Sequence, residues 1–284
     1  MIDKSKKILI VGLGLIGGSY AKGFTLKGYT VGAIDCKENV IEYAKKRNII
    51  SSGRTVPEEE YIKDFDIIVF ALYPKVLTEW IEKYQSFIKS GAILTDVTGI
   101  KSHIVYEVQK ILRSDLEFIG AHPMAGREVY GVENSTEKIF KGANYIVTPT
   151  EKNSEAAISL CKEIGRTLGF GTIRILSPEQ HDETVGFLSQ LPHCIAVALM
   201  NCNDSPNLSE YSGDSFRDFT RIANINENMW CELFMMNKEA LLKQFDLFIK
   251  KCEELKEYIK NGEEDKLKHM MKISSERRKN FEKN

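Results

Sequence analysis

One imidazole in this sequence stands where a proton would have to move. His122, in the segment EFIGAHPMAG, closes an apolar run and is followed at once by the rigid Pro123. A neutral imidazole accepts a proton near physiological pH, so a histidine at a strand end suits the base that takes a hydroxyl proton while hydride leaves the same carbon. The same position also suits a histidine that only completes a hydrogen-bond network. Two further histidines, His181 and His193, lie 12 residues apart in HDETVGFLSQLPH, and FRDFTRIA brings Arg217, Asp218 and Arg221 into five residues. A guanidinium is the usual bidentate partner of a carboxylate, and an adjacent acid can hold it in place. The plain alternative for that cluster is a salt-bridged helix end.

A second chemistry-bearing segment opens the chain. Gly12-Leu13-Gly14-Leu15-Ile16-Gly17 follows the apolar run Ile8 to Val11 and begins a helical stretch. In a GxGxxG turn the first glycine permits the tight bend, the second lets backbone approach a pyrophosphate, and the third lets helix and strand pack closely. The phosphates then sit at a helix N-terminus, with the first-turn residues Leu15 and Ile16 part of the cradle. Asp35 follows Gly17 by 18 residues, at the end of the next strand, where a carboxylate binds the adenosine ribose hydroxyls. That acid repels the extra phosphate of NADP and favours NAD; the neighbouring Lys37 leaves dual use open.

These residues need elements to position them, and the pattern supplies alternating strands and helices. Strands are expected at Ile8 to Val11, YTVGAID, Asp66 to Ala71, Ala92 to Asp96, Glu117 to Ala121, Asn144 to Thr148 and Thr172 to Leu176. Helical spacing marks Val40 to Arg47, Val76 to Lys89 and Ser102 to Leu112. Such alternation means βαβ units and a doubly wound parallel sheet, whose ligands bind beyond the carboxyl ends of the strands. Beyond Leu176 only helical spacing remains. One stripe runs from Val185 to Leu199 and another from Trp230 to Ile259, over about eight turns, too long for one helix to cover against its own domain. We read residues 1–175 as a nucleotide-binding domain and 176–284 as a helical domain that forms a subunit interface; an intramolecular helix hairpin is the other reading of that stripe.

Composition narrows the classes. With 39 Lys+Arg against 40 Asp+Glu the net charge is -1, and no run of like charge offers a nucleic-acid footprint. The stretch Ile8 to Ala21 is too short and too glycine-rich to span a bilayer, and no leader pattern precedes it, so a cytoplasmic place of action is expected. Six scattered cysteines without a C-x-x-C pair read as reduced thiols, and no metal-ligand spacing stands out.

In order along the chain, GLGLIGGS, GAHPMAG, HDETVGFLSQLPH and FRDFTRIANINENMW resemble the prephenate dehydrogenase family. The resemblance covers roughly Lys7 to Ile259 and implies an N-terminal Rossmann-type domain, a helical domain that forms a homodimer, NAD as cofactor, and oxidative decarboxylation of prephenate to 4-hydroxyphenylpyruvate in tyrosine biosynthesis. Arogenate, whose side chain bears an amine, is the alternative substrate; an acidic residue near His193 would favour it. The resemblance also implies roles for single residues. His122 would bond the ring hydroxyl and assist hydride transfer, Arg221 would hold the ring carboxylate, and His193 would line the pyruvyl pocket. Glu128, Asp218 and Trp230 would belong to the surrounding network, with Arg217 a further cation for the second carboxylate. The family commonly has Gly-Ser where this chain has Thr98-Gly99. The serine that would support His122 is therefore missing, and Thr98 is the expected substitute. A non-enzymatic nucleotide sensor competes less well, because it does not call for His122 and Arg221 in these contexts, and so does a β-hydroxyacid dehydrogenase, because HDETVGFLSQLPH fits the prephenate dehydrogenase family better.

Overall fold

The computed structural model describes residues 2–281, and in them eight strands form one sheet. They are β1 (Lys7–Val11), β2 (Thr30–Ile34), β3 (Ser52–Arg54), β4 (Ile67–Phe70), β5 (Ile93–Asp96), β6 (Glu117–Met124), β7 (Asn144–Thr148) and β8 (Thr172–Ile175). Their order is β3-β2-β1-β4-β5-β6-β7-β8. The chain moves outward from β1 in one direction and then returns to its other side at β4, which opens a crevice beyond the β1 and β4 ends.

The continuous apolar run of β1 follows from burial on both faces. Ile8 and Ile10 pack with Tyr20, Phe24, Ile164 and Leu168 on one side, and Leu9 and Val11 pack with Phe70, Leu77, Trp80 and Ile81 on the other. Helices Leu15–Leu26 and Glu155–Leu168 therefore cover one face, and Pro74–Tyr84 and Ser102–Ile111 the other.

The sheet is mostly parallel, with one reversal. β6 and β7 pair antiparallel, and β8 runs parallel to β7. The reason lies in the connection: only short 3₁₀ turns, Val132–Asn134 and Glu137–Phe140, join β6 to β7 in place of a crossover helix. The reversal also lengthens β6. Its register with β5 ends at Thr95 opposite Ile119, but β7 supports it on to Met124, with His122 opposite Ile146. His122 thus lies inside an extended strand that projects past its parallel neighbour, where the sequence pattern ends the strand one residue before it.

The long apolar stripe from Trp230 to Ile259 belongs to two helices, Glu227–Met236 and Lys238–Lys260, interrupted at Asn237. Asn237 is buried, and its amide donates to the carbonyl of Asp182 at 2.9 Å and to Gln190 Oε1 at 2.7 Å. An asparagine so engaged cannot be turned outward as a surface helix position. The chain divides there into two compact units, one ending at Asn237 and one starting at Lys238. The second unit contains helices Lys238–Lys260 and Glu264–Arg278, and its side chains Leu242, Leu247, Ile249 and Ile259 are exposed. Among the described residues no helix is long and apolar enough to cross a membrane, and no cluster of His, Cys, Asp and Glu could hold a metal ion.

Candidate active site

At the end of β1 the chain turns through Gly12, whose φ of +93° is one that side-chain-bearing residues rarely adopt. A Cβ there would lie 2.5 Å from the Ala71 carbonyl oxygen, and one at Gly17 would lie 1.9 Å from the Gly12 carbonyl oxygen. Gly14 is different: a Cβ there meets nothing within 4 Å, so its backbone faces open space at the start of helix Leu15–Leu26. The first-turn N–H groups of Leu15, Ile16 and Gly17 lack intrahelical acceptors, which together with the helix dipole favours an anion at that opening. Asp35 lies beside the turn, its carboxylate accepting the Leu13 N–H at 2.8 Å and the Lys37 N–H at 3.0 Å. Open backbone at a helix start and a carboxylate fixed next to it fit a dinucleotide.

Two strands away, β5 ends in a buried ion pair. Asp96 and Lys101 are both fully buried; Lys101 Nζ donates to Asp96 Oδ2 at 2.5 Å and to Thr98 Oγ1 at 2.9 Å. Asp96 also accepts the Thr98 N–H at 3.0 Å and, through its other oxygen, the Ala121 N–H at 3.1 Å. Breaking a buried pair by removing one partner typically costs ~3–5 kcal/mol, so this pair holds the 97–101 loop rigidly against β6. Burial lowers the Lys101 proton affinity, and Asp96 opposes that effect.

The carboxylate of Asp182, on helix Pro178–Val185, meets the start of helix Ser102–Ile111, where it accepts the N–H groups of Lys101 and Ser102, each at 2.8 Å. The same carboxylate lies 2.7 Å from His181 Nδ1, and His181 Nε2 lies 2.8 Å from His122 Nδ1. Burial, then His181 and Lys101, push the His122 pKa well below the ordinary 6.5. His122 is therefore neutral at pH 7, with its Nδ1 engaged and its Nε2 remaining for a substrate.

Helix Pro178–Val185 runs on through a π-helical turn, Gly186–Gln190, into Leu191–Met200, which carries His193. Such wide turns are frequent at functional sites because they re-aim the residues after them. His193 Nδ1 donates to the Ser189 carbonyl at 2.8 Å, leaving Nε2 as the acceptor, and the ring stacks on Trp230 with centroids 3.8 Å apart. Burial lowers the His193 pKa; Glu128 opposes and Arg221 adds to that shift. Glu128, in the loop after β6, forms an ion pair with Arg221 Nη1, and both side chains are partly exposed.

The structure thus brings together three groups expected from the sequence: the glycine turn with Asp35, His193 with Trp230, and Glu128 with Arg221. Two expectations need correction. Thr98 does not take the missing serine's place beside His122, because its hydroxyl is held among Asp96, Lys101 and the Ile100 carbonyl. A Cβ at Gly99 would come within 3.9 Å of His122 Cε1, so that position borders the imidazole and offers it no hydroxyl. Arg217 is turned to Asp214 at 2.5 Å and the Ser212 carbonyl at 2.9 Å, within its own exposed helical segment, and not to Arg221 or His193. Asp218 is exposed on that same helix, Asp214–Thr220. The sequence reading gave no role to Asp96, Lys101, His181 or Asp182. The signal available was a carboxylate closing AILTD and the His-Asp pair opening HDETVGFLSQLPH, and the 59 residues between His122 and His181 hid their contact.

Family models match nearly the whole chain: the nucleotide-binding domain of prephenate dehydrogenase over residues 20–173 and its dimerization domain over 177–273. A prephenate dehydrogenase of Lactococcus lactis is 32% identical over 93% of this chain and 74% of its own length. One from Bacillus subtilis is 29% identical over 95% of this chain and 75% of its own. Among solved structures, prephenate dehydrogenase from A. aeolicus in complex with hydroxyphenyl propionate and NAD+ superposes with a TM-score of 0.90 at 32% identity, covering 99% of this chain and 100% of that one.

Proposed function

The chain belongs to the prephenate dehydrogenase family, and from that premise we propose that it oxidises and decarboxylates prephenate with NAD, yielding 4-hydroxyphenylpyruvate for tyrosine biosynthesis. The observation that carries the reading is a neutral, half-buried His122 with one ring nitrogen tied to His181, on a strand that projects past β5.

Prephenate is a cyclohexadienol with two carboxylates. NAD, held by Gly12, Gly14, Leu15, Ile16, Gly17 and Asp35, supplies the hydride acceptor when bound. His122 Nε2 takes the hydroxyl proton as hydride leaves the same carbon, so that the oxygen lone pair forms the carbonyl. The bond to the ring carboxylate then breaks, its electron pair enters the ring, and CO2 departs. Aromatisation turns the carbonyl oxygen into a phenolate, which recovers the proton from His122. Arg221 holds the ring carboxylate, and the His193–Trp230 stack lines the pocket for the pyruvyl side chain. The Glu128–Arg221 pair is exposed, and such pairs are worth only ~0–1 kcal/mol, so an incoming carboxylate displaces Glu128 at little cost. We assign residues 1–175 to nucleotide binding and 176–284 to substrate binding and dimerisation, with action in the cytoplasm.

One observation favours arogenate as a second substrate. Glu128 is close enough to His193 to act on its proton affinity, and an acidic group there suits an amine. Glu128→Gln should therefore depress turnover of arogenate more than that of prephenate; equal losses remove this reading.

Cofactor choice tests the nucleotide site. Steady-state kinetics should favour NAD over NADP, and Asp35→Ala should narrow the gap, because the carboxylate anchored to the Leu13 and Lys37 N–H groups repels a ribose phosphate. Equal or better use of NADP by the unaltered protein overturns the assignment.

We infer a homodimer, a reading supported by the family's dimerization domain and by Leu242, Leu247, Ile249 and Ile259, exposed on one long helix of the second unit. Light scattering should give about twice the 32.3 kDa chain mass. A monomer at micromolar concentration rejects it.

A further inference from the structure

We propose that His181 and Asp182 are positioning residues: they lock His122 into the tautomer that carries its proton on Nδ1, leave Nε2 bare for the substrate hydroxyl, and share the proton that His122 receives. The proposal rests on the assignment of His122 as the base.

Asp182 accepts two backbone N–H groups, from Lys101 and Ser102, in addition to its contact with His181 Nδ1 at 2.7 Å. Burial alone would raise its pKa, but the bonds to His181 and Ser102 outweigh that and keep it below the usual value, so it is ionised and accepts only. His181 must therefore carry a proton on Nδ1. Burial keeps His181 from taking a second proton despite the pull of Asp182, which leaves a lone pair on its Nε2. That lone pair faces His122 Nδ1 at 2.8 Å, so His122 must donate from Nδ1. The ring planes meet at 61° with centroids 5.1 Å apart, an edge approach that suits an in-plane N–H···N bond better than a stack. With Nδ1 protonated and the ring neutral, His122 Nε2 is the free acceptor.

The reverse tautomers would set a bare His181 Nδ1 against an ionised carboxylate, a buried repulsion. When the substrate O–H bond breaks and His122 Nε2–H forms, the His122 Nδ1 proton can shift to His181 Nε2. The positive charge then lies beside Asp182, and no proton is gained or lost overall. Lys101 and Asp96, from the β5 end, are the other charged groups facing the two imidazoles, and they are already paired with each other. The relay also accounts for the site's working without the hydroxyl that Gly99 and Thr98 fail to supply.

The test reads the tautomer directly. Full-length protein labelled with 15N-histidine, without substrate, has five histidines, which single substitutions assign. The expected spectrum shows His122 protonated on Nδ1 and bare on Nε2. His181→Phe should abolish that preference and lower kcat by ~10-fold or more, with KM little changed, because a wrong tautomer disables a base without removing binding contacts. In His181→Gln a side-chain amide oxygen can take the place of Nε2 as acceptor, so tautomer and most activity should return. A wild-type His122 protonated on Nε2 overturns the relay, as does His181→Phe with unaltered tautomer and kcat. Should His181→Phe fail to fold, the wild-type spectrum and His181→Gln still decide. A protein that shows the expected tautomer yet leaves prephenate untouched keeps the relay and sinks the substrate assignment, so the two failures are distinguishable.

Discussion

His122→Asn is expected to lower kcat with prephenate by ~10²-fold or more while leaving KM within a few-fold, because proton removal is help realised in the transition state. Asparagine is a suitable replacement: its amide can occupy the place of Nδ1 and donate to His181, so the 2.8 Å contact and the local packing are retained while the basic nitrogen is lost. The wild-type pH profile is part of the same expectation. Only neutral imidazole accepts the proton, so kcat/KM should rise with pH through the folded-state pKa of His122. Burial, His181 and Lys101 set that pKa well below 6.5, so the rise should fall on the acid side, and the profile should be flat above neutrality as far as this group is concerned. Activity in His122→Asn equal to that of the wild type would remove the base from the mechanism.

Arg221→Ala should act differently. Arg221 is more than half exposed, at 61% for its side chain, and in the absence of substrate it is paired with Glu128. Its loss should cost little stability. With substrate, a charged hydrogen bond to the ring carboxylate disappears, which is worth ~1.5–3 kcal/mol, or ~10- to 100-fold in KM for prephenate. The fall in kcat should be smaller. Arg221→Lys should recover only part of the affinity, because an ammonium lacks the fork that meets a carboxylate bidentately. Circular dichroism and thermal melting should match the wild type, so that a change in KM reads binding alone. An unaltered KM would mean that the carboxylate is held elsewhere.

The contrast between these two residues also shows what was legible from sequence. The glycine turn was legible because its spacing is local: Gly12, Gly14 and Gly17 fall within six residues, and the run Ile8 to Val11 marks a strand buried on both faces, although the close approach of Ala71 to Gly12 is not visible in that spacing. His122 was legible as a strand-end imidazole. What lies behind it was not, since Asp96 ends β5, Lys101 follows it and His181 and Asp182 sit on helix Pro178–Val185, and hydrogen bonds over 59 and 81 residues leave no periodic trace. Thr98 differs in that its partners are local: a hydroxyl next to the vacant serine position looks like its substitute, and spacing alone does not show that the buried Asp96 and Lys101, two and three residues away, hold it. Arg217 and Arg221, four apart, looked like joint anion holders, but Arg217 turns to Asp214 and the Ser212 carbonyl. The β6 reversal did have a signal, the lack of helical spacing between Glu117 to Ala121 and Asn144 to Thr148 where a parallel crossover needs a helix, but the strand alternation on either side masked it.

The measurement that bears most directly on the central claim is the stoichiometry of the wild-type reaction with prephenate and NAD. One NADH and one CO2 should form for each prephenate consumed, with 4-hydroxyphenylpyruvate as the organic product. Oxidation of arogenate with no turnover of prephenate, or NADH formed without CO2, would contradict the account.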